Sequence, residues 1–182
     1  FFFSKNMSAT HTHRHIRFRK QLEEEGATVC VCGSHPPNTK YTGKYGYPVM
    51  CEEKLDMDEL GRIQSAGVDA IVIPGGFAPD YMRRNPAMLK AVTDACANDV
   101  PIAAICHGPW VLCSARPQPN GPPVLSGRHA TSFSAIKDDV INAGATFVDQ
   151  PVVIDGPIIT SRTPNDLVPW VHAIIEQILK RS

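Results

Sequence analysis

At 182 residues, 43% of them apolar and 20% charged, the chain has enough hydrophobic material for one domain with a real core. Lys plus Arg and Asp plus Glu balance at 18 each, so the formal net charge is zero. That balance argues against nucleic-acid binding driven by bulk electrostatics, and no apolar run approaches the roughly 20 residues that span a bilayer.

The six cysteines, at positions 30, 32, 51, 96, 106 and 113, show no disulfide-framework spacing. Three lie within apolar segments, which points to a reducing compartment, the cytoplasm, rather than secretion. The chain opens on Phe1-Phe2-Phe3 instead of Met, as a fragment, a processed form or an imperfect gene model would. That run is too short for the apolar region of a signal peptide.

Residues 1–15 form a poorly defined N-terminal segment, with a short strand at most over Phe1–Phe3. His11, His13 and His15 alternate, but no Cys or acidic residue stands beside them. They read as part of a mobile polar segment rather than as metal ligands. Residues 16–182 read as a single domain. Ile16 to Glu25 has helical spacing and Gly26 stops it. Ala27 to Cys32 reads as a short buried strand, with Cys30 and Cys32 on one face as packing residues. Gly43 to Met50 reads as a turn and extended segment, and Leu55 to Ile63 as a short helix.

Val68 to Ile73 is an apolar strand of the kind buried in parallel sheets, and it runs into Pro74-Gly75-Gly76. Paired glycines at a strand end let the backbone approach a ligand closely and leave amides for an oxyanion. Pro86 to Asn98 is helical, with Met88, Leu89, Val92 and Ala95 on one stripe. A second apolar strand, Val100 to Ile105, then ends abruptly at Cys106-His107-Gly108-Pro109 and a helix follows over Trp110–Ala115. A nucleophile at such a turn stands clear of the sheet edge over unpaired helix N–H groups, which favour the thiolate. His107 is placed to accept or return a proton.

Arg116 to Pro123 is a Pro-rich surface loop. Ala130 to Phe133 is extended, and Ala135 to Ala143 is a helix closed by Gly144. Thr146 to Val148 and Val152 to Ile154 read as strands, and Asp155-Gly156 turns the latter onto Ile158 to Thr160. Thr163-Pro164-Asn165-Asp166 starts a last helix, Leu167 to Leu179, whose buried face carries Val168, Val171, Ile174, Ile175 and Ile178. Alternating helices and apolar strands give an α/β fold, a doubly wound and mostly parallel sheet sandwiched by helices. In such sheets catalytic groups collect at the C-terminal strand ends, where both Gly75-Gly76 and Cys106 fall.

Four stretches resemble the PfpI branch of the DJ-1/PfpI superfamily. They are Ala70 to Asp80, Ala104 to Pro109, Ile136 to Asp139 with Asn142-Ala143-Gly144, and Ser161 to Leu167. The resemblance covers roughly Leu22 to the end and implies the flavodoxin-like sandwich shared with class I glutamine amidotransferase domains. It implies a cofactor-free protein with no metal, in which Cys106 is the nucleophile and His107 stands beside it. The amides of Gly76 and His107, with Gly75, would form the oxyanion site. Asp80 matches an acidic position that reaches the Cys-His pair of a neighbouring subunit, which implies a homo-oligomer with the site near its interface. One departure stands out. The family's glutamate after the first strand has no counterpart, because no acidic residue precedes Glu23 and the position falls near His11.

The leading functional expectation is a cysteine-dependent enzyme on small reactive aldehydes, glyoxalase III- or deglycase-like, converting methylglyoxal to lactate. The alternatives are an intracellular cysteine peptidase and a redox-sensing or chaperone-like stress protein without turnover.

Overall fold

The computed structural model describes residues 2–3, 18–42, 48–57 and 67–181. Its strands are β1 (Phe2–Phe3), β2 (Cys32–Gly33), β3 (Lys40–Thr42), β4 (Pro48–Met50), β5 (Glu53–Lys54), β6 (Ile71–Ile73), β7 (Ile102–Ile105), β8 (His129–Ala130), β9 (Thr146–Phe147), β10 (Val152–Asp155) and β11 (Ile158–Ser161). The helices are α1 (residues 18–24), α2 (Ala78–Met82), α3 (Pro86–Ala97), α4 (Pro109–Ser114), α5 (Lys137–Asn142) and α6 (Leu167–Leu179).

The site is positioned by a four-stranded sheet in the order β10-β11-β7-β6. Its β11, β7 and β6 run parallel, and β10 closes one edge antiparallel to β11. A three-stranded parallel sheet, β1-β2-β5, and the pairs β3-β4 and β8-β9 complete the architecture. The two-residue β1 is the shortened first strand the sequence implies, paired with β2.

Why the sheet is apolar throughout follows from the two-residue period of a strand. Ile71, Ile73, Ile102, Ala104 and Ile158 point into one core, which they share with Met88 and Val92 of α3 and with Leu112 of α4. Val72, Ala103, Ile105 and Ile159 point into the other, shared with Phe18 and Leu22 of α1 and Trp170, Val171 and Ile174 of α6. Both faces are therefore covered by helices, the doubly wound arrangement. Each such Ile contributes roughly 1.5–3 kcal/mol of hydrophobic stabilisation.

Local signals set the helix starts. Asn85 caps α3, its Oδ1 accepting from the amides of Ala87 at 2.9 Å and Met88 at 3.4 Å, with Pro86 in the first turn. The Thr163 amide and hydroxyl both donate to Asp166 Oδ2 at 3.3 Å, and a 3₁₀ turn over Pro164–Asp166 leads into α6.

Several expected elements are trimmed. Within residues 27–32 only Cys32 enters a ladder, because Val31 spends its polar groups on Glu52 and Glu53. Its N–H donates to Glu52 Oε2 at 2.7 Å, and its carbonyl accepts from the amides of Glu52 at 2.8 Å and Glu53 at 3.2 Å. The strand after Val68 begins at Ile71, and Val68 itself is 37% exposed. Val168 is not on the buried face of α6. It is 48% exposed, and the large side chain buried there is Trp170. Leu55 to Met57 are not helical, and the rest of the expected 55–63 helix lies outside the described residues, as do His11, His13 and His15 and residues 43–47.

Candidate active site

The centre of the sheet delivers Cys106. In the β6–β7 register Ile73 lies opposite Ala104, so two residues further on Gly75 comes level with Cys106. On the other side Ser161 pairs with Ile105, and the Ser161 carbonyl accepts the Cys106 amide at 2.9 Å. The Cys106 carbonyl in turn accepts from Phe133 N–H at 2.9 Å. Clamped from both sides, Cys106 takes a φ of 63°, a left-handed conformation that non-glycine residues rarely adopt. Such strain persists only where the surroundings over-determine it, and it gathers at functional sites.

The turn is closed by Gly108 for a steric reason. A Cβ there would lie 2.8 Å from the Ile73 carbonyl oxygen and 2.9 Å from both the amide nitrogen and the carbonyl oxygen of Ile105. All three are backbone atoms with no room to give. This close approach is what seats the turn on the end of β6.

Two expectations need correction here. Cys106 does not stand clear of the sheet edge, since it is only 4% exposed and packs with Phe133 against the α6 side of the core. The N–H groups at the start of α4 are not unpaired either. Gly108, Trp110 and Val111 donate to Ile105, His107 and Gly108 carbonyls at 2.8, 3.1 and 3.0 Å, and Pro109 has no N–H. A tight turn of this kind satisfies its own donors. The amides of Gly76, whose φ is 79°, and of His107 make no hydrogen bond among the described residues. These are the two amides that the family resemblance implies for an oxyanion.

His107 Nδ1 lies 3.2 Å from Cys106 Sγ. The imidazole is half-buried, held between Trp110 at 5.0 Å and Phe133 at 5.1 Å between ring centroids. Burial lowers its pKa from 6.5, so the ring stays neutral over a wider pH range. Trp110 is fixed in turn. Its indole N–H donates to Asp139 Oδ2 at 3.0 Å, the Arg83 guanidinium lies 4.9 Å over its ring, and Phe77 meets it edge-on at 6.2 Å. Phe77 itself is 54% exposed.

Asp80 sits in α2, which packs on α4, but its carboxylate is engaged within its own chain. Arg83 donates to Oδ1 at 2.9 Å, and Arg84 bonds Oδ2. Desolvation pushes its pKa up, yet the guanidinium bonds from Arg84 and Arg83 outweigh that and hold it below 3.8. Cys113, one turn beyond Trp110, is of a different character. Burial, aided by Asp139, pushes its thiol up to about 12.

The sequence therefore placed Cys106, His107, Gly75, Gly76 and Asp80 on adjoining elements. It missed Trp110, Phe133, Asp139 and Arg83. The spacing from His107 to Trp110, three residues across a helix start, is a signal that would have found the indole. Phe133 and Asp139 carry no such signal, because only the fold brings them near. Among the described residues no cluster of three or more His, Cys, Asp or Glu side chains could hold a metal ion. No helix among them is long and apolar enough to cross a membrane.

Chemically, a thiol within hydrogen-bond distance of a neutral imidazole can yield its proton to that ring and attack an electrophilic carbon. The nearby unengaged amides can receive the negative charge that develops on oxygen.

The DJ-1/PfpI family profile matches residues 15–177. The chain is 38% identical over 159 residues to a deglycase of Pyrococcus abyssi, covering 86% of each chain. It is 37% identical over 156 residues to the deglycase PfpI of Pyrococcus furiosus, again over 86% of each. Among solved structures it is similar to a two-domain Anabaena variabilis protein containing DJ-1/ThiJ/PfpI-like and ferritin-like domains, with 36% identity and a TM-score of 0.82. That match covers 97% of this chain and 48% of the other, so this chain spans about half of the two-domain protein. Drosophila melanogaster DJ-1beta, at 22% identity and a TM-score of 0.76 over 96% of this chain and 91% of its own, shares the fold.

Proposed function

The chain belongs to the DJ-1/PfpI family, and from that premise we propose that it is a cysteine-dependent, deglycase-like enzyme acting on reactive aldehydes, free or carried as early adducts. The observation that carries this reading is the 3.2 Å contact between Cys106 Sγ and His107 Nδ1 at a residue whose φ is 63°.

With methylglyoxal as substrate, His107 takes the thiol proton and Cys106 Sγ bonds to the aldehyde carbon. The carbonyl electron pair moves to oxygen, where the Gly76 and His107 amides stabilise it, and His107 returns the proton to that oxygen, which leaves a hemithioacetal and a neutral imidazole. A base then moves the proton from that carbon to its neighbour through an enediolate, which leaves a lactyl thioester on Cys106. Water cleaves the thioester, releasing lactate and restoring the thiol. No oxidant or cofactor enters this sequence.

His107 suits the base role, because burial keeps its imidazole neutral. Asp80 suits it less within its own chain, since two guanidinium groups hold its carboxylate as a weak base. A homo-oligomer in which Asp80 of a partner subunit meets the Cys-His pair belongs to the same proposal, as does a cytoplasmic setting.

The test is lactate formation from methylglyoxal, with Cys106→Ala as control. Sustained lactate release abolished by the substitution supports the proposal. Peptide hydrolysis that depends on Cys106 without lactate release would move the assignment to a peptidase. Peroxide oxidation of Cys106 with neither turnover would move it to a redox-responsive protein.

A further inference from the structure

The sequence assigns Cys30 and Cys32 to packing, but their geometry gives them a chemistry of their own. The two Sγ atoms lie 3.8 Å apart, with Cys30 exposed and Cys32 buried. We infer that Cys30 and Cys32 form a dithiol that closes reversibly to an intrachain disulfide by exchange with small-molecule disulfides, at a site separate from Cys106.

A disulfide needs the sulfurs about 2.05 Å apart, so the gap must shorten by about 1.8 Å. Cys32 is fixed in β2, paired to β1 on one side and β5 on the other. Cys30 precedes the ladder and reaches solvent, so a small disulfide can approach its sulfur and the closing movement falls on its side of the pair. Cys51 is a poorer partner. Its own thiol contacts the carbonyls of His35 at 3.3 Å and Glu53 at 3.2 Å.

The exchange balances in two steps. The Cys30 thiolate attacks a sulfur of the small disulfide, forming a mixed disulfide and expelling one small thiolate. The Cys32 sulfur, having lost its proton, then attacks Cys30 Sγ and expels the second. Two protein thiols are oxidised and one small disulfide is reduced to two thiols. Although Cys30 reaches solvent, the protein around its sulfur and the neighbouring Cys32 push its pKa up to about 12. Thiolate is therefore scarce near neutrality. The exchange is slow there and should speed up about tenfold per pH unit on the alkaline side.

Residues 21–40 form one tryptic peptide that holds both cysteines and no other. The full chain is equilibrated in reduced and oxidised glutathione at several ratios, quenched in acid, unfolded, alkylated and mapped by mass spectrometry. The expected result is a 21–40 peptide two hydrogens lighter than the dithiol, with both alkylation sites lost together. Closure should persist in Cys106→Ser. Cys32→Ser should trap Cys30 as a mixed disulfide, and Cys30→Ser should leave Cys32 open to alkylation. A stable glutathione adduct on Cys30 in the unaltered chain, or a Cys30–Cys51 cross-link, overturns the pairing. Loss of closure in Cys106→Ser overturns the independence of the two sites.

Discussion

The indole of Trp110 lies 5.0 Å from the imidazole of His107, and the Asp139 carboxylate holds that indole in place from 29 residues further along the chain. A tilted, hydrogen-bonded ring on one side, with Phe133 on the other, limits how far the imidazole can swing from Cys106 Sγ. This relationship makes Trp110 a positioning residue. Trp110→Ala should lower kcat/KM for aldehyde turnover by about 10- to 100-fold, the scale expected when a catalytic group is displaced by about an ångström. Trp110→Phe keeps a ring but loses the Asp139 bond, and should fall between. The pH dependence of Cys106 alkylation checks the cause, because a purely structural defect would leave that profile in place.

Gly108→Ala should destabilise the protein by about 2–3 kcal/mol, since the added methyl meets backbone on three sides. Urea denaturation measures it. A loss below about 1 kcal/mol would mean that the turn can relax away from β6.

Replacing Cys106 offers a separate reading of the strain at the nucleophile. Ala retains a Cβ in the left-handed conformation whereas Gly does not, so Cys106→Gly should be more stable than Cys106→Ala by about 1 kcal/mol. Paired thermal melts decide it, and neither variant should turn over substrate.

Acid should weaken the fold through His107. Burial lowers its native pKa below 6.5, whereas in the unfolded chain the ring takes its proton near that value. Between the two pKa values the unfolded state binds more protons, so stability rises with pH across the window and falls on acidification through it. His107→Gln removes this titration and should flatten the slope of unfolding free energy against pH just below 6.5.

Two valines of α6 test the corrected helix face. Val171 is fully buried and Val168 is 48% exposed. Val171→Ala should cost about 2 kcal/mol, and Val168→Ala should stay within about 0.5 kcal/mol of the parent in chemical denaturation.

Much of this molecule is written in short-range pattern. The apolar runs ending at Gly75-Gly76 and Cys106, the Thr163-Pro164 helix start and the alternation of strands with helices specify a parallel sheet with its chemistry at one edge. They do so because side-chain period, turn residues and caps act within a few positions of themselves. What only the tertiary structure decided is which groups meet there. Phe133 reaches the Cys-His pair and Asp139 the Trp110 indole beside it through packing, Val168 faces water while Trp170 is buried, and Cys106 lies recessed rather than proud of the sheet. Each of those outcomes depends on contacts between segments far apart in the chain, and local pattern carries no information about such contacts.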